Sequence, residues 1–127
     1  MSASKTKVNE LECGDIIIMQ FSPTEGHEQS GNRPAVILSN PKQQDRLLDG
    51  LVSVAPVTNT KRGFPLDVEL DSRTKTQGVI LMGHHRMVDL KARGFQYVEK
   101  IPKDNLEKCE EILVSLYEEL VTYSHHL

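Results

Sequence analysis

Tryptophan is missing from this chain of 127 residues, and phenylalanine and tyrosine contribute only three each. That shortage excludes a long aromatic platform of the kind on which successive unpaired bases stack. Cysteine is nearly absent too: Cys13 and Cys109 lie far apart and without ordered histidine spacing. Neither a zinc site nor a disulfide framework is signalled, and both thiols are expected to be buried. There is no apolar run long enough to span a bilayer, and the opening MSASKTKVNELE lacks the apolar stretch of a secretory signal. A cytoplasmic protein with no membrane contact is the expectation. A basic excess is lacking as well, since the formal net charge is −3, which argues against holding nucleic acid by bulk electrostatics.

The charge is unevenly spread. Residues 1–103 carry 14 Lys and Arg against 12 Asp and Glu, a net of +2, whereas residues 104–127 carry 1 against 6, a net of −5. Length and hydrophobic content fit one domain with one core, residues 1–127, led by a flexible polar segment over residues 1–9. Runs of β-branched and aliphatic residues bounded by Pro, Gly, Ser and Asn predict strands at Ile16–Phe21, Pro34–Leu38 and Leu51–Val57. Further strands are predicted at Leu66–Leu70, Gly78–Met82 and Gln96–Ile101. Beyond Pro102 the period changes: Leu106, Cys109, Ile112, Leu113, Leu116, Tyr117 and Leu120 recur at helical spacing. A helix over 104–121 follows, with Asp104 as N-cap and Glu107 three residues on. The class is mostly β (α+β): a small, strongly bent antiparallel sheet or barrel with a C-terminal amphipathic helix. Glu107, Glu110, Glu111, Glu118 and Glu119 lie off the apolar stripe and are expected to form a solvated helix face.

The loop between the first two strands concentrates chemistry. His27, Glu28, Gln29 and Arg33 fall within seven positions, so a strand pair would hold a proton carrier, a carboxylate and a guanidinium close together.

The order of motifs resembles the MazF/PemK family of toxin endoribonucleases over residues 13 to about 117. The resemblance rests on Gly14-Asp15, Pro23-Thr24, Gly26-His27-Glu28-Gln29 and Gly31-Asn32-Arg33-Pro34-Ala35-Val36. It continues through Pro56-Val57-Thr58, Gly78-Val79 and Asp89-Leu90-Lys91-Ala92-Arg93-Gly94. It implies an SH3-like barrel, a homodimer, metal-free cutting of single-stranded RNA without a cofactor, and a labile MazE/PemI-like antitoxin whose acidic segment covers the RNA site. By position the family's functional glutamate falls on Glu28, its arginine on Arg33, its threonine on Thr58 and the PemK histidine on His27. One departure stands out. Where PemK has a catalytic Asp and, two residues before it, an Arg, this chain has Gly83 and Leu81, followed by His84 and His85.

Metal-free RNA cleavage uses the adjacent 2′-hydroxyl as nucleophile and needs a base, a stabiliser of charge on phosphorus and an acid for the leaving 5′-oxygen. The base candidates are His27 and Glu28. Arg33 suits the stabiliser, because a planar guanidinium fork matches two phosphoryl oxygens and keeps its charge. The acid stays open between His27 and His84. If the strand after Gly78 continues, alternation allows at most one of His84 and His85 to face the RNA. Thr58 offers a short hydroxyl to a non-bridging oxygen, or else caps its own turn. RNA grip is expected from Lys61 and Arg62, with Gln29, Asn32, Ser39, Asn40 and Asn59 as polar neighbours and base reading by loops. Two other readings compete: a degenerate toxin that binds RNA and antitoxin without turnover, suggested by Gly83, and a CcdB-like inhibitor of a protein target, disfavoured by the missing C-terminal Trp.

Overall fold

A computed structural model describes residues 4–21, 31–43 and 49–125. Its strands are β1 (Asp15–Phe21), β2 (Gly31–Ile37), β3 (Leu51–Thr58), β4 (Asp67–Glu69), β5 (Val79–Leu81), β6 (Arg86–Asp89) and β7 (Gln96–Lys100). Among the described residues these seven form one antiparallel sheet in the order β4-β5-β3-β2-β1-β7, with β6 also paired to β3. The sheet is not closed and ends on β4 and β7. A one-turn helix α1 (Leu90–Arg93) links β6 to β7, and the long helix α2 (Lys103–His125) follows. No helix among the described residues is long and apolar enough to cross a membrane.

Both faces of the sheet are apolar, which is why most strands carry apolar runs where a one-sided sheet would alternate. The front face gathers Ile17, Met19, Phe21, Ala35, Ile37, Val52, Val54 and Val88, closed over by Leu11 and Leu90. The back face gathers Ile16, Val36, Ala55, Val57, Val68 and Ile80, and α2 packs on it through Leu106, Cys109, Ile112 and Leu113. Each large aliphatic side chain removed from water here contributes roughly 1.5–3 kcal/mol before entropy is counted. The first half of the predicted helical stripe, Leu106 to Leu113, is thus the seam that buries the back of the sheet, whereas Leu116 and Tyr117 are exposed. The acidic residues Glu107, Glu110, Glu111 and Glu118 point away from it and are exposed.

Several local expectations are corrected. The strand predicted at Gly78–Met82 spans Val79–Leu81 and ends before the histidines, but the sequence pattern does not foretell how the chain leaves it. Ile80 pairs with Val57 and Arg86 with Val54, so 6 steps on one side (80 to 86) match 3 on β3 (57 to 54). The surplus residues are looped out as a 3-10 turn, Met82–His84, which acts as a large bulge between β5 and β6. Helix α2 starts at Lys103, with the Pro102 carbonyl accepting the Leu106 N–H at 3.1 Å. Asp104 therefore lies in the first turn and is no cap; its carboxylate binds Arg73 at 2.7 Å. Residues 4–9 of the expected lead-in run into a short 3-10 helix, Val8–Glu10, and Lys5 pairs at 2.7 Å with the fully buried Asp15. Cys109 is buried as expected, but Cys13 is only half-buried and its thiol donates to the Leu38 carbonyl at 3.3 Å.

Candidate active site

Strand β2 carries the first candidate. Arg33 pairs with Met19 across β1, and alternation puts it on the front face with Ala35 and Ile37. On the other side Ala35 pairs with Pro56 of β3, and the same register carried two residues further sets Arg33 across from Thr58. Arg33 is half-buried where the front-face core gives way to the end of the sheet. The acidic face of α2 lies behind the sheet, so the guanidinium and the helix carboxylates are on opposite sides.

Thr58 is 8% exposed, and its Oγ1 accepts the backbone N–H of Thr60 at 3.3 Å. That is the turn-capping geometry its residue type allows, and it fixes the side chain while leaving the hydroxyl proton to donate elsewhere. On the other edge of β3, Thr58 pairs with Val79, which follows Gly78. Gly78 has φ +118, a region L side chains rarely adopt.

After Thr58 the chain leaves through a polar segment into β4. Asn59 and Lys61 are exposed, and Lys61 Nζ lies 3.4 Å from Glu69. Arg62 is committed within the same hairpin. Its Nη2 and Nε donate to the Asp67 carboxylate at 2.6 and 3.1 Å, and its guanidinium lies 4.3 Å from the Phe64 ring centroid. This pairing raises the pKa of Arg62 and gives it a structural task beside any contact with RNA. Ser39 and Asn40 also serve the frame: the Ser39 hydroxyl accepts the Ser53 N–H, and the Asn40 side-chain oxygen accepts the Cys13 N–H, both at 3.0 Å. Asn32 is exposed, pairs with Gln20 and, by alternation, points to the face opposite Arg33. His27, Glu28 and Gln29 lie outside the described residues.

The bulge Met82–His84 separates the two histidines. His84 is exposed at its end, whereas His85 is tied inward. The Met82 carbonyl can only accept, so His85 Nδ1, 2.6 Å away, donates to it, and Nε2 lies in hydrogen-bond contact with the Tyr117 hydroxyl at 2.8 Å. His85 thereby links the bulge to α2. Leu81 is buried at 1% exposure, so an apolar side chain fills the position where the resemblance would place an arginine. Gly83 is exposed, and a Cβ there would meet only the Leu66 side chain, at 3.3 Å.

Two arginines absent from the sequence expectations enter this corner of the molecule. Arg93 of α1 donates to the Gln20 carbonyl at 3.1 Å, and Arg86 of β6 lays its guanidinium 4.8 Å from the centroid of the Phe21 ring. Only the Asp89-to-Gly94 motif hinted at Arg93. For Arg86 no local signal existed, because Phe21 and Arg86 are brought together by the curl of the sheet.

An antiparallel sheet backed by one helix, with an arginine and a threonine abreast at its end, is the frame of a small toxin fold, and the comparisons agree with it. Residues 12–117 match the family model described as PemK-like, MazF-like toxin of type II toxin-antitoxin system. The chain belongs to that family. It is 36% identical over 99 residues to Endoribonuclease PemK of Escherichia coli, covering 75% of this chain and 73% of the relative. The crystal structure of MazF (Form-I) from Deinococcus radiodurans superposes with a TM-score of 0.75 at 32% identity, over 85% of this chain and 96% of that one. A chain of the MazE-MazF crystal structure (Form-II) from the same organism gives 0.73 at 32% identity, with the same coverage of 85% and 96%.

Proposed function

We propose that this toxin is a sequence-specific endoribonuclease that cuts single-stranded RNA, mRNA above all, through its own 2′-hydroxyl without a metal ion, and so arrests translation and growth. The observation that carries the reading is the row in which Arg33 and Thr58 stand abreast on the front face, away from the acidic helix. A phosphodiester laid across that row meets a guanidinium fork and a fixed hydroxyl. Both oppose the negative charge that builds on phosphorus as the 2′-oxygen attacks.

Proton transfer belongs to Glu28 and His27 on the β1–β2 loop, with His84 as the second candidate for the acid. With Leu81 and Gly83 in place of the PemK pair, the leaving 5′-oxygen takes its proton from an imidazole, and His84 is exposed and able to offer one. RNA contacts beyond the scissile phosphate fall to Asn59 and Lys61, with Gln29, Asn32, Ser39, Asn40 and Arg62 at the margins.

The relatives also supply the partner. A MazE-like antitoxin covers the end of the sheet that carries Arg33 and Thr58 in the resting cell, its acidic segment standing in for the RNA phosphates. The protein acts in the cytoplasm as a homodimer. The exposed apolar side chains Leu51, Met87, Val114, Leu116 and Tyr117 are a surface for the second copy to cover.

The test is to incubate purified protein with a long single-stranded RNA in EDTA and map the ends. Discrete cuts bearing 2′,3′-cyclic phosphate and 5′-hydroxyl termini are expected. Binding without cuts would show a toxin that has lost turnover, and a need for added divalent metal would overturn the mechanism.

A further inference from the structure

We propose that Arg86 is a second phosphate-binding arginine, holding a backbone phosphate of the RNA strand next to the one being cut. The inference rests on the endoribonuclease reading and extends it to a residue that reading does not use.

Arg86 pairs with Val54, which pairs in turn with Ile37, so its side chain rises from the front face in the row of that core. Its guanidinium reaches the ring of Phe21, and Phe21 pairs with Gly31, two residues from Arg33 on the same strand and face. The side chain therefore leans along the sheet toward the end that carries Arg33 and Thr58. Val54 and Thr58 are separated by four steps of β3, about 13 Å at the usual strand rise, and a side chain as long as arginine spans much of that interval.

What singles this residue out is its unspent bonding. Nε and Nη2 of Arg86 are buried without a hydrogen-bond partner, and among the described residues no carboxylate forms an ion pair with it. By contrast, Arg62 and Arg73 each bind carboxylates. A buried donor left unsatisfied is costly, and a buried cation more so, unless a ligand repays the cost. The Phe21 ring lies against the guanidinium as a cation–π partner, a contact that supplies no hydrogen-bond acceptor. A fixed cation lacking a counter-charge selects an anion over a neutral base edge, and the anion an RNA strand offers at regular intervals is its phosphate.

The experiment uses the full chain and an RNA oligonucleotide spanning a mapped cut site, with a 2′-deoxy nucleotide at that site to prevent turnover. Its Kd is measured across a range of salt for wild type, Arg86→Gln and Arg86→Lys. The expected result for Arg86→Gln is a Kd raised about 10- to 100-fold, with the slope of log Kd on log salt reduced by about 0.7. Arg86→Lys restores the slope and only part of the affinity, and both variants cut cleavable RNA at the wild-type sequence. A Kd and slope unchanged in Arg86→Gln, with only the melting temperature altered, would overturn the proposal in favour of a structural cation–π contact. A shifted cleavage sequence would overturn it in favour of base reading. Absence of any mappable cut by the wild type would instead remove the endoribonuclease reading, and the inference with it.

Discussion

Gly78 presses against Thr58 so closely that a Cβ on the glycine would lie 2.1 Å from the Thr58 carbonyl oxygen and 2.8 Å from its carbonyl carbon. The obstacle is backbone, so no rotamer change relieves it. A side chain at residue 78 must push β5 away from β3 or drive Thr58 out of its row. Gly78→Ala is expected to lower the melting temperature and to reduce RNA cleavage together, since the same displacement causes both. Thermal unfolding and cleavage of a fixed RNA by the variant check this, and wild-type values for both would refute it.

Arg33→Lys keeps the charge but loses the planar fork. Cleavage is expected to fall about 10²- to 10³-fold, the usual loss for one preorganised donor to a developing oxyanion. The melting temperature should barely move, because Arg33 is only half-buried at the end of its strand. Single-turnover rates with saturating enzyme give the comparison, and cleavage within a few-fold of wild type would dismiss the bidentate role.

Acid should weaken the link between the β4–β5 connection and α2. Arg73 holds the Asp71 carboxyl at about 2, against an ordinary 3.8, and keeps the Asp104 carboxyl low as well. A depressed carboxylate contributes stability that is present above its unfolded pKa and disappears as pH falls through its folded value. The stability difference between wild type and Arg73→Ala should therefore be present near pH 5 and vanish toward pH 2. Urea unfolding at a series of pH values reads it; a difference that persists undiminished to about pH 2 would rule the linkage out.

The two thiols should differ in reactivity. Burial pushes Cys109 up to about 12, while half-buried Cys13 is raised less far. Because the folded value lies above the unfolded one, stability tied to Cys109 is complete below about pH 9 and declines as pH climbs toward 12. In the native protein near pH 8, iodoacetamide should modify Cys13 well before Cys109, as read by mass spectrometry of the peptides. Equal rates at the two positions would contradict the burial of Cys109.

The parts of the fold that were legible in the sequence are those whose pattern is local. Apolar runs marked β1, β2 and β3, alternation marked β4, and the helical period marked α2. Strand β6 was not legible, because Arg86–Asp89 contributes a single buried residue, Val88, and owes its extended form to pairing with β3. The histidine bulge escaped notice for a related reason: a looped-out turn is visible only once both flanking registers are known. Arg33 was legible from its crowding with His27, Glu28 and Gln29, Thr58 only through the resemblance, and the register then set the two abreast. Arg86 was missed because a charged residue in a short polar stretch reads as solvated surface. Its burial against Phe21 is a property of the curled sheet and has no counterpart in local sequence.

The most direct measurement of the central claim replaces one atom. An RNA oligonucleotide carrying a single 2′-deoxy nucleotide at the mapped cut site should bind with the affinity of the all-ribose strand and remain uncut in EDTA. Cleavage of that strand at the modified position would show that the nucleophile comes from elsewhere, and the account built on Arg33 and Thr58 would fall.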